Sequence, residues 1–138
     1  MASVPQASPA GTPVAPSEPD SYEDGLVPEV VLAAVRGASE MSAERIVVLE
    51  VGDVLSITDW FIIASAPNKR RVRRIAELIT EHVKAAGGDG PIRTEGLDDP
   101  QWVLLDFGLF VAHVFLEQTR EYYDLERLWS DVPRYEFG

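Results

Sequence analysis

The sequence contains no cysteine among its 138 residues. Disulfide bonds, thiolate-bound zinc, iron–sulfur clusters and a cysteine nucleophile are therefore excluded, and the composition suits a reducing compartment. No apolar run approaches the roughly 20 residues that a membrane-spanning helix requires. The first residues form neither a positive segment nor a continuous apolar segment, so we expect no secretory signal, no membrane attachment and a cytoplasmic location.

Positive charge is scarce in this chain. The 12 Lys and Arg residues against 23 Asp and Glu residues give a formal net charge of −11 at pH 7 and a pI near 4.5. This balance disfavours extensive binding to nucleic-acid phosphates and favours a basic protein partner. The hydrophobic share of 46% and charged share of 25% are typical of one globular domain.

Proline is concentrated at the N-terminus, where the first 28 residues hold six of the ten prolines. Proline at this spacing blocks helical and strand hydrogen bonds, so residues 1–27 are predicted to be a disordered, acidic tail. A lineage-specific extension and an acidic tether to a partner both fit this tail. The domain is predicted to span residues 28–133, followed by a C-terminal tail over residues 134–138.

The order of apolar patterns predicts an αββαβββα domain with three helices and a mixed sheet of about five strands. Strands two and three are separated by a helix, which permits a parallel pair, and the last three strands can form a meander. Both faces of the strands are apolar. Three helices can leave part of one face uncovered, which would mark an interaction site. The predicted elements are helix 29–35, strands 46–51 and 60–64, a helix from Asn68 to Ala86 with Asn68 as its N-cap, strands 91–95, 102–106 and 110–116, and helix 119–129.

Three polar residues beside these strands are candidates for chemistry. Asp59 is either a loop cap or part of a functional surface. Asp106 and His113 bracket the turn between the two strongest strands and could meet across it, but an acid–base pair would also need a nucleophile or a metal. A packed, hydrogen-bonded His113 and a partner-contacting one are the alternatives. The second histidine, His82, lies off the apolar face of its helix.

The run from Lys69 to Arg74 places five cations in six residues at the start of the second helix. This run is either a solvated face or a local contact to RNA phosphates near a protein partner. Nucleotide-cradling, serine-hydrolase and zinc-protease motifs are absent, and two distant histidines are a poor metal signature. We therefore expect neither a metal nor a cofactor. The candidate RNA contacts are Lys69, Arg70, Arg71, Arg73 and Arg74.

The ordered combination of these segments resembles the Iojap-like ribosomal silencing factors over roughly residues 29–132. The matching fragments are IVVLEV at 46–51, SITDWFIIA at 56–64, Glu95-Gly96, WVLLD at 102–106, VAHVF at 111–115 and REYYDLERLW at 120–129.

The resemblance implies an α/β fold related to the nucleotidyltransferases but without their catalytic residues. It also implies binding to the large ribosomal subunit through the basic large-subunit ribosomal protein fourteen, which would block docking of the small subunit and repress translation. By the same resemblance, Trp102 is the leading partner contact. The further contact candidates are Asp59, Glu95, Asp106, His113 and Tyr122.

Two other functions remain open from the residues alone. A nucleotidyltransferase-like enzyme would need a Gly-Ser turn and an Asp-x-Asp strand motif to hold Mg²⁺, and the sequence has neither. A homodimeric adaptor would close the apolar sheet face with a second copy of the chain. Nothing in the sequence separates association with itself from association with a partner.

Overall fold

The computed structural model describes residues 26–41 and 44–137. The predicted N-terminal tail therefore lies almost entirely outside the described residues. The elements in chain order are α1 (Glu29–Glu40), β1 (Glu44–Glu50), β2 (Trp60–Ala66), α2 (Lys69–Ala85), β3 (Arg93–Glu95), β4 (Trp102–Asp106), β5 (Phe110–Leu116), α3 (Glu117–Tyr123), α4 (Leu125–Leu128) and β6 (Arg134–Phe137).

The strands form one mixed sheet in the order β3-β4-β5-β2-β1-β6. The predicted α/β class and the predicted meander of β3, β4 and β5 are confirmed. The parallel partner of β2 is β5, however, and not β3. The meander places β3 at the sheet edge, so it is the last strand of the meander that returns beside β2.

The described residues form six strands, one more than the sequence predicted. The segment predicted as a C-terminal tail contains β6, which pairs antiparallel with β1. Its polar side chains, Arg134 and Glu136, are exposed, whereas Tyr135 is half-buried and Phe137 is buried. Polar and apolar side chains alternate over only four residues in this edge strand. So short a pattern is a weak indication of a strand, which is why β6 was missed.

The third predicted helix is broken at Asp124. This residue adopts the left-handed conformation, with φ 50° and ψ 54°, and separates α3 from α4. The break returns the chain so that the Glu126 carboxylate accepts two hydrogen bonds from the buried Arg120 guanidinium, at 3.2 and 2.8 Å. On an unbroken helix, residues six apart lie on different sides, so this pair explains the break.

The two faces of the sheet are covered unequally. Helices α1 and α2 pack on one face and complete the larger apolar core with strand residues such as Val48, Ile62 and Val114. The opposite face, called here the open face, carries a smaller core that includes Phe61, Ile63 and Phe115. It is covered only in part, by Tyr123 of α3 and by residues from α4 and the segment that follows it.

Candidate functional site

Strand register places four of the six predicted partner contacts on the open face. Trp102 lies opposite Phe115, and Leu104 lies opposite both His113 on β5 and Glu95 on β3. Asp106 lies opposite Val111. Because directly paired residues point to the same side of a sheet and side chains alternate along a strand, these residues share one surface. We call this surface the open-face site; its members are Glu95, Trp102, Leu104, Asp106 and His113.

Trp102 is the half-buried centre of this site. Its indole N–H donates a hydrogen bond to His113 Nδ1 at 3.1 Å. Its ring packs against Phe115 and Tyr123, with both pairs of ring centroids 4.8 Å apart. One edge of the indole is thus held in place, while part of the ring remains accessible. A large aromatic side chain fixed in this way can contact a partner with little loss of conformational entropy.

His113 is a buried residue that fixes the indole. Only 5% of its surface is exposed, and burial lowers its pKa from 6.5 to about 4, so the imidazole is neutral at pH 7. Because Nδ1 accepts the indole hydrogen bond, the proton is assigned to Nε2. That nitrogen is buried and has no hydrogen-bond partner among the described residues. The geometry supports the packed, hydrogen-bonded role over an acid–base role.

Asp106 does not pair with His113 across the turn. The register places Asp106 opposite Val111, whereas His113 lies opposite Leu104, two positions before Asp106 on β4. The Asp106 carboxylate instead accepts a hydrogen bond from the Gly108 N–H at 2.9 Å and lies 3.9 Å from the Arg93 guanidinium. The two side chains therefore do not meet across the turn, which the sequence had left open, and Asp106 stabilises the β4–β5 turn.

Two adjacent tyrosines lie beside the site, and the sequence analysis named only the first, Tyr122, as a contact candidate. Tyr122 is 81% exposed and makes an edge contact with Tyr123, with ring centroids 5.0 Å apart. Tyr123, which the sequence did not single out, is the residue that contacts Trp102. The sequence shows two adjacent tyrosines. On an unbroken helix, nothing distinguished Tyr123 from Tyr122 as the one that contacts Trp102.

Asp59 lies apart from these aromatic residues, directly before β2. Its backbone N–H donates to the Leu109 carbonyl at 2.9 Å, and the Thr58 hydroxyl donates to the same oxygen at 3.0 Å. Burial raises the pKa of Glu50, and the charges of Asp53 and Asp59 raise it further. Asp59 therefore belongs to an acidic end of the sheet, where its side chain is exposed.

Most of the basic run at the start of α2 makes contacts within the chain. Lys69 forms an ion pair with Asp99, Arg71 and Arg73 donate to backbone carbonyls, and Arg74 contacts Glu77 and Glu81. The Arg70 side chain is exposed and makes no hydrogen bond or ion pair with the described residues. The predicted N-cap is confirmed, because Asn68 accepts a hydrogen bond from the Arg71 N–H at 2.9 Å.

The described residues contain neither a cluster of metal ligands nor a membrane-spanning helix. Within residues 26–41 and 44–137, no group of three or more His, Asp or Glu side chains is arranged to hold a metal ion. In the same part of the chain, no helix has both the length and the apolar character needed to cross a membrane.

Comparison with known proteins gives a consistent match. The family model described as "Ribosomal silencing factor during starvation" matches residues 26–138. A ribosomal silencing factor from Halalkalibacterium halodurans is 34% identical over 108 residues, which cover 78% of this chain and 92% of the relative. A mouse protein named "Mitochondrial assembly of ribosomal large subunit protein 1" is 34% identical over 92 residues, covering 64% of this chain and 40% of the relative.

The fold comparison agrees with the sequence comparison. A crystal structure of a protein from Chromobacterium violaceum superposes with a TM-score of 0.70 at 31% identity, covering 74% of this chain and 84% of that chain. The family match extends over most of the chain, including every described strand and helix. The chain therefore belongs to the ribosomal silencing factor family, and its role is a regulatory one connected with the ribosome.

Proposed function

We propose that this protein binds the large ribosomal subunit through basic large-subunit ribosomal protein fourteen and sterically blocks docking of the small subunit, repressing translation in the cytoplasm. The mechanism needs no catalytic step, because occupation of the shared surface is sufficient. A standard protein interface buries about 1,600 Å² in total, which one face of a domain of this size can supply.

The observation that carries this proposal is the open-face site. An accessible, immobilised tryptophan lies beside half-buried Leu104, and the carboxylates of Glu95 and Asp106 lie on the same face. An apolar centre with acidic residues around it suits a partner surface that carries both apolar and basic side chains. The formal charge of −11 would also attract a basic partner over a longer range.

The name of the mouse relative supports the choice of the large subunit as the partner. That protein is named for assembly of the mitochondrial ribosomal large subunit, and the shared region covers 64% of this chain. We extend this connection to the present chain as part of the proposal.

We also propose a local contact with ribosomal RNA, centred on Arg70. Of the five cations first considered, Lys69, Arg71, Arg73 and Arg74 contact groups within the chain. The exposed Arg70 guanidinium keeps its donors available for a phosphate. Arg70→Gln should therefore reduce the salt dependence of large-subunit binding by about one unit of slope if this contact forms.

The direct test is a sucrose-gradient assay of subunit joining with purified subunits, with and without the protein. We expect saturating protein to reduce the fraction of joined ribosomes. Trp102→Ala should weaken large-subunit binding by more than about 2 kcal/mol, because the variant removes the central aromatic contact. Joining that is unaffected by saturating wild-type protein would refute the proposed function.

Two controls make this test specific. Trp102→Phe retains a ring against Phe115 and Tyr123, so it should lose less affinity than Trp102→Ala. Circular dichroism and thermal unfolding must show that both variants remain folded. Light scattering of the free protein would reveal a homodimer, and turnover of nucleoside triphosphates with Mg²⁺ would favour the enzymatic alternative.

A further inference from the structure

Two cations of the basic run hold the loop that leads into Trp102. Lys69 Nζ lies 2.6 Å from Asp99 Oδ1, and the Arg73 guanidinium donates to the Leu97 carbonyl at 2.6 Å. Lys69 and Arg73 are four residues apart on α2, so they lie on the same side of that helix. They connect α2, which packs on the helix-covered face, to the loop of residues 96–101 between β3 and β4.

This loop is held directly against the backbone of the open-face site. Gly96 has a φ of +94°, and a Cβ atom built there would lie 2.1 Å from the Trp102 carbonyl oxygen. At the other end of the loop, the Gln101 carbonyl accepts a hydrogen bond from the Leu116 N–H at 2.8 Å. The position of the loop and the position of Trp102 are therefore coupled by close backbone contact.

The Asp99 carboxylate is occupied on both oxygens. Oδ1 pairs with Lys69, and Oδ2 accepts a hydrogen bond from the Gln101 side chain at 2.8 Å. The hydrogen bond from Lys69 lowers the pKa of Asp99, and the one from Gln101 lowers it further. A lysine in the first turn of a helix is unfavourable for the helix dipole, so the position of Lys69 is better explained by Asp99 than by the needs of α2.

We propose that Lys69 and Arg73 are positioning residues that fix the β3–β4 loop and thereby hold Glu95 and Trp102 in the arrangement that binds the partner. These two cations thus act within the chain, and not on ribosomal RNA. This inference rests on the proposed function for its partner, the large ribosomal subunit.

A charge swap tests the inference. Lys69→Asp faces the like charge of Asp99, and Asp99→Lys faces Lys69, so each single variant should bind large subunits roughly fivefold more weakly. The double variant K69D/D99K restores an opposite pair and should return the affinity to within roughly twofold of wild type. Aspartate favours a helix N-terminus, so loss of affinity in K69D would not come from a weakened α2.

Two further variants complete the design. Arg73→Met removes the bond to the Leu97 carbonyl and should also bind roughly fivefold more weakly, since a charge-assisted hydrogen bond is lost. Lys84→Asp, at an exposed position near the end of α2, makes the same change of charge away from the loop and should bind as wild type does.

Amide hydrogen exchange supplies a readout that does not require the partner. The Gln101 N–H donates to the Asp99 carbonyl at 2.7 Å, and the Leu116 N–H donates to Gln101. Both amides should exchange faster in K69D and return to the wild-type rate in K69D/D99K. Unchanged exchange in K69D would overturn the claim that Lys69 holds the loop.

The possible outcomes separate this inference from the proposed function. If wild-type protein binds large subunits and K69D loses affinity that D99K does not restore, Lys69 contacts the ribosome directly and the positioning role is wrong. Equal binding by K69D and wild type also overturns it. If wild-type protein does not bind large subunits, the proposed function fails and the positioning role fails with it, while hydrogen exchange still decides whether the loop is held.

Discussion

Acidification should destabilise this protein through His113 well before its carboxylates are protonated. The imidazole is buried, and its pKa is lowered from 6.5 to about 4. The unfolded chain therefore binds a proton at this site between pH 6.5 and pH 4, whereas the folded chain does not. The stability that the neutral His113 imidazole contributes is present above pH 6.5 and is lost as the pH falls through this window.

The size of the effect follows from the two pKa values. The difference between 6.5 and about 4 corresponds to about 3 kcal/mol of unfolding free energy. About 2 kcal/mol of this loss should fall between pH 7 and pH 5, where carboxylates with ordinary pKa values are still mostly ionised. The structural cost is specific, because a protonated Nδ1 becomes a donor and can no longer accept the Trp102 indole hydrogen bond.

Urea unfolding at pH 7 and pH 5 provides the measurement. His113→Asn removes the titrating group and retains an oxygen acceptor near the position of Nδ1, so its free energy of unfolding should change by about 2 kcal/mol less than that of wild type over this range. His82→Asn, which changes the other histidine, should leave the His113 contribution in place. A wild-type free energy that is flat between the two pH values, or an equal loss in His113→Asn, would refute the reasoning.

Two other predictions concern stability. Arg120→Met should lower the free energy of unfolding in urea by about 3–5 kcal/mol, because it removes a buried guanidinium that contacts Glu126, Ser65 and the Arg45 carbonyl and leaves Glu126 without that partner; a loss below 1 kcal/mol would contradict this. Gly96→Ala should destabilise the fold by clearly more than Gly87→Ala in thermal unfolding. Both glycines have a φ of +94°, but only an alanine at 96 would meet backbone, whereas Gly87 faces open space, where the cost is about 1–2 kcal/mol. Equal losses would refute the close approach.

The pH dependence of the Arg120–Glu126 pair has the same sign as that of His113 but a lower range. Burial opposes ionisation of Glu126, yet the hydrogen bond and charge of Arg120, with Arg134 and Arg45, outweigh burial and lower its pKa. Its stabilisation is present above the ordinary glutamate pKa and is lost as the pH falls through the lowered value. It is therefore separable from the loss between pH 7 and pH 5.

Local sequence patterns predicted most of the elements. The apolar spacing after Asn68 predicted α2, and the structure confirms both the helix and its N-cap. The apolar runs at 102–106 and 110–116 predicted β4 and β5 with their bounds unchanged. These predictions succeeded because periodicity and capping depend on residues close together in the chain.

Predictions that depended on distant contacts were less successful. The helix break at Asp124 depends on a buried pair between Arg120 and Glu126, and β6 depends on pairing with β1. Asp106 and His113, which the sequence allowed to meet, are not paired because strand register places Asp106 opposite Val111 and His113 opposite Leu104. The contact of Tyr123 with Trp102 was also missed, because the sequence predicted an unbroken helix where the structure ends α3 at Tyr123.

The sequence by itself determined the fold class and the acidic charge, because composition and local spacing need no knowledge of long-range contacts. The candidate partner contacts came from the family resemblance. Only the tertiary structure decided that His113 accepts the Trp102 hydrogen bond and that Lys69 and Arg73 hold the loop beside Trp102. Those pairs come from segments whose relative positions are set by packing the whole sheet between two unequal helical layers, and no local pattern encodes that geometry.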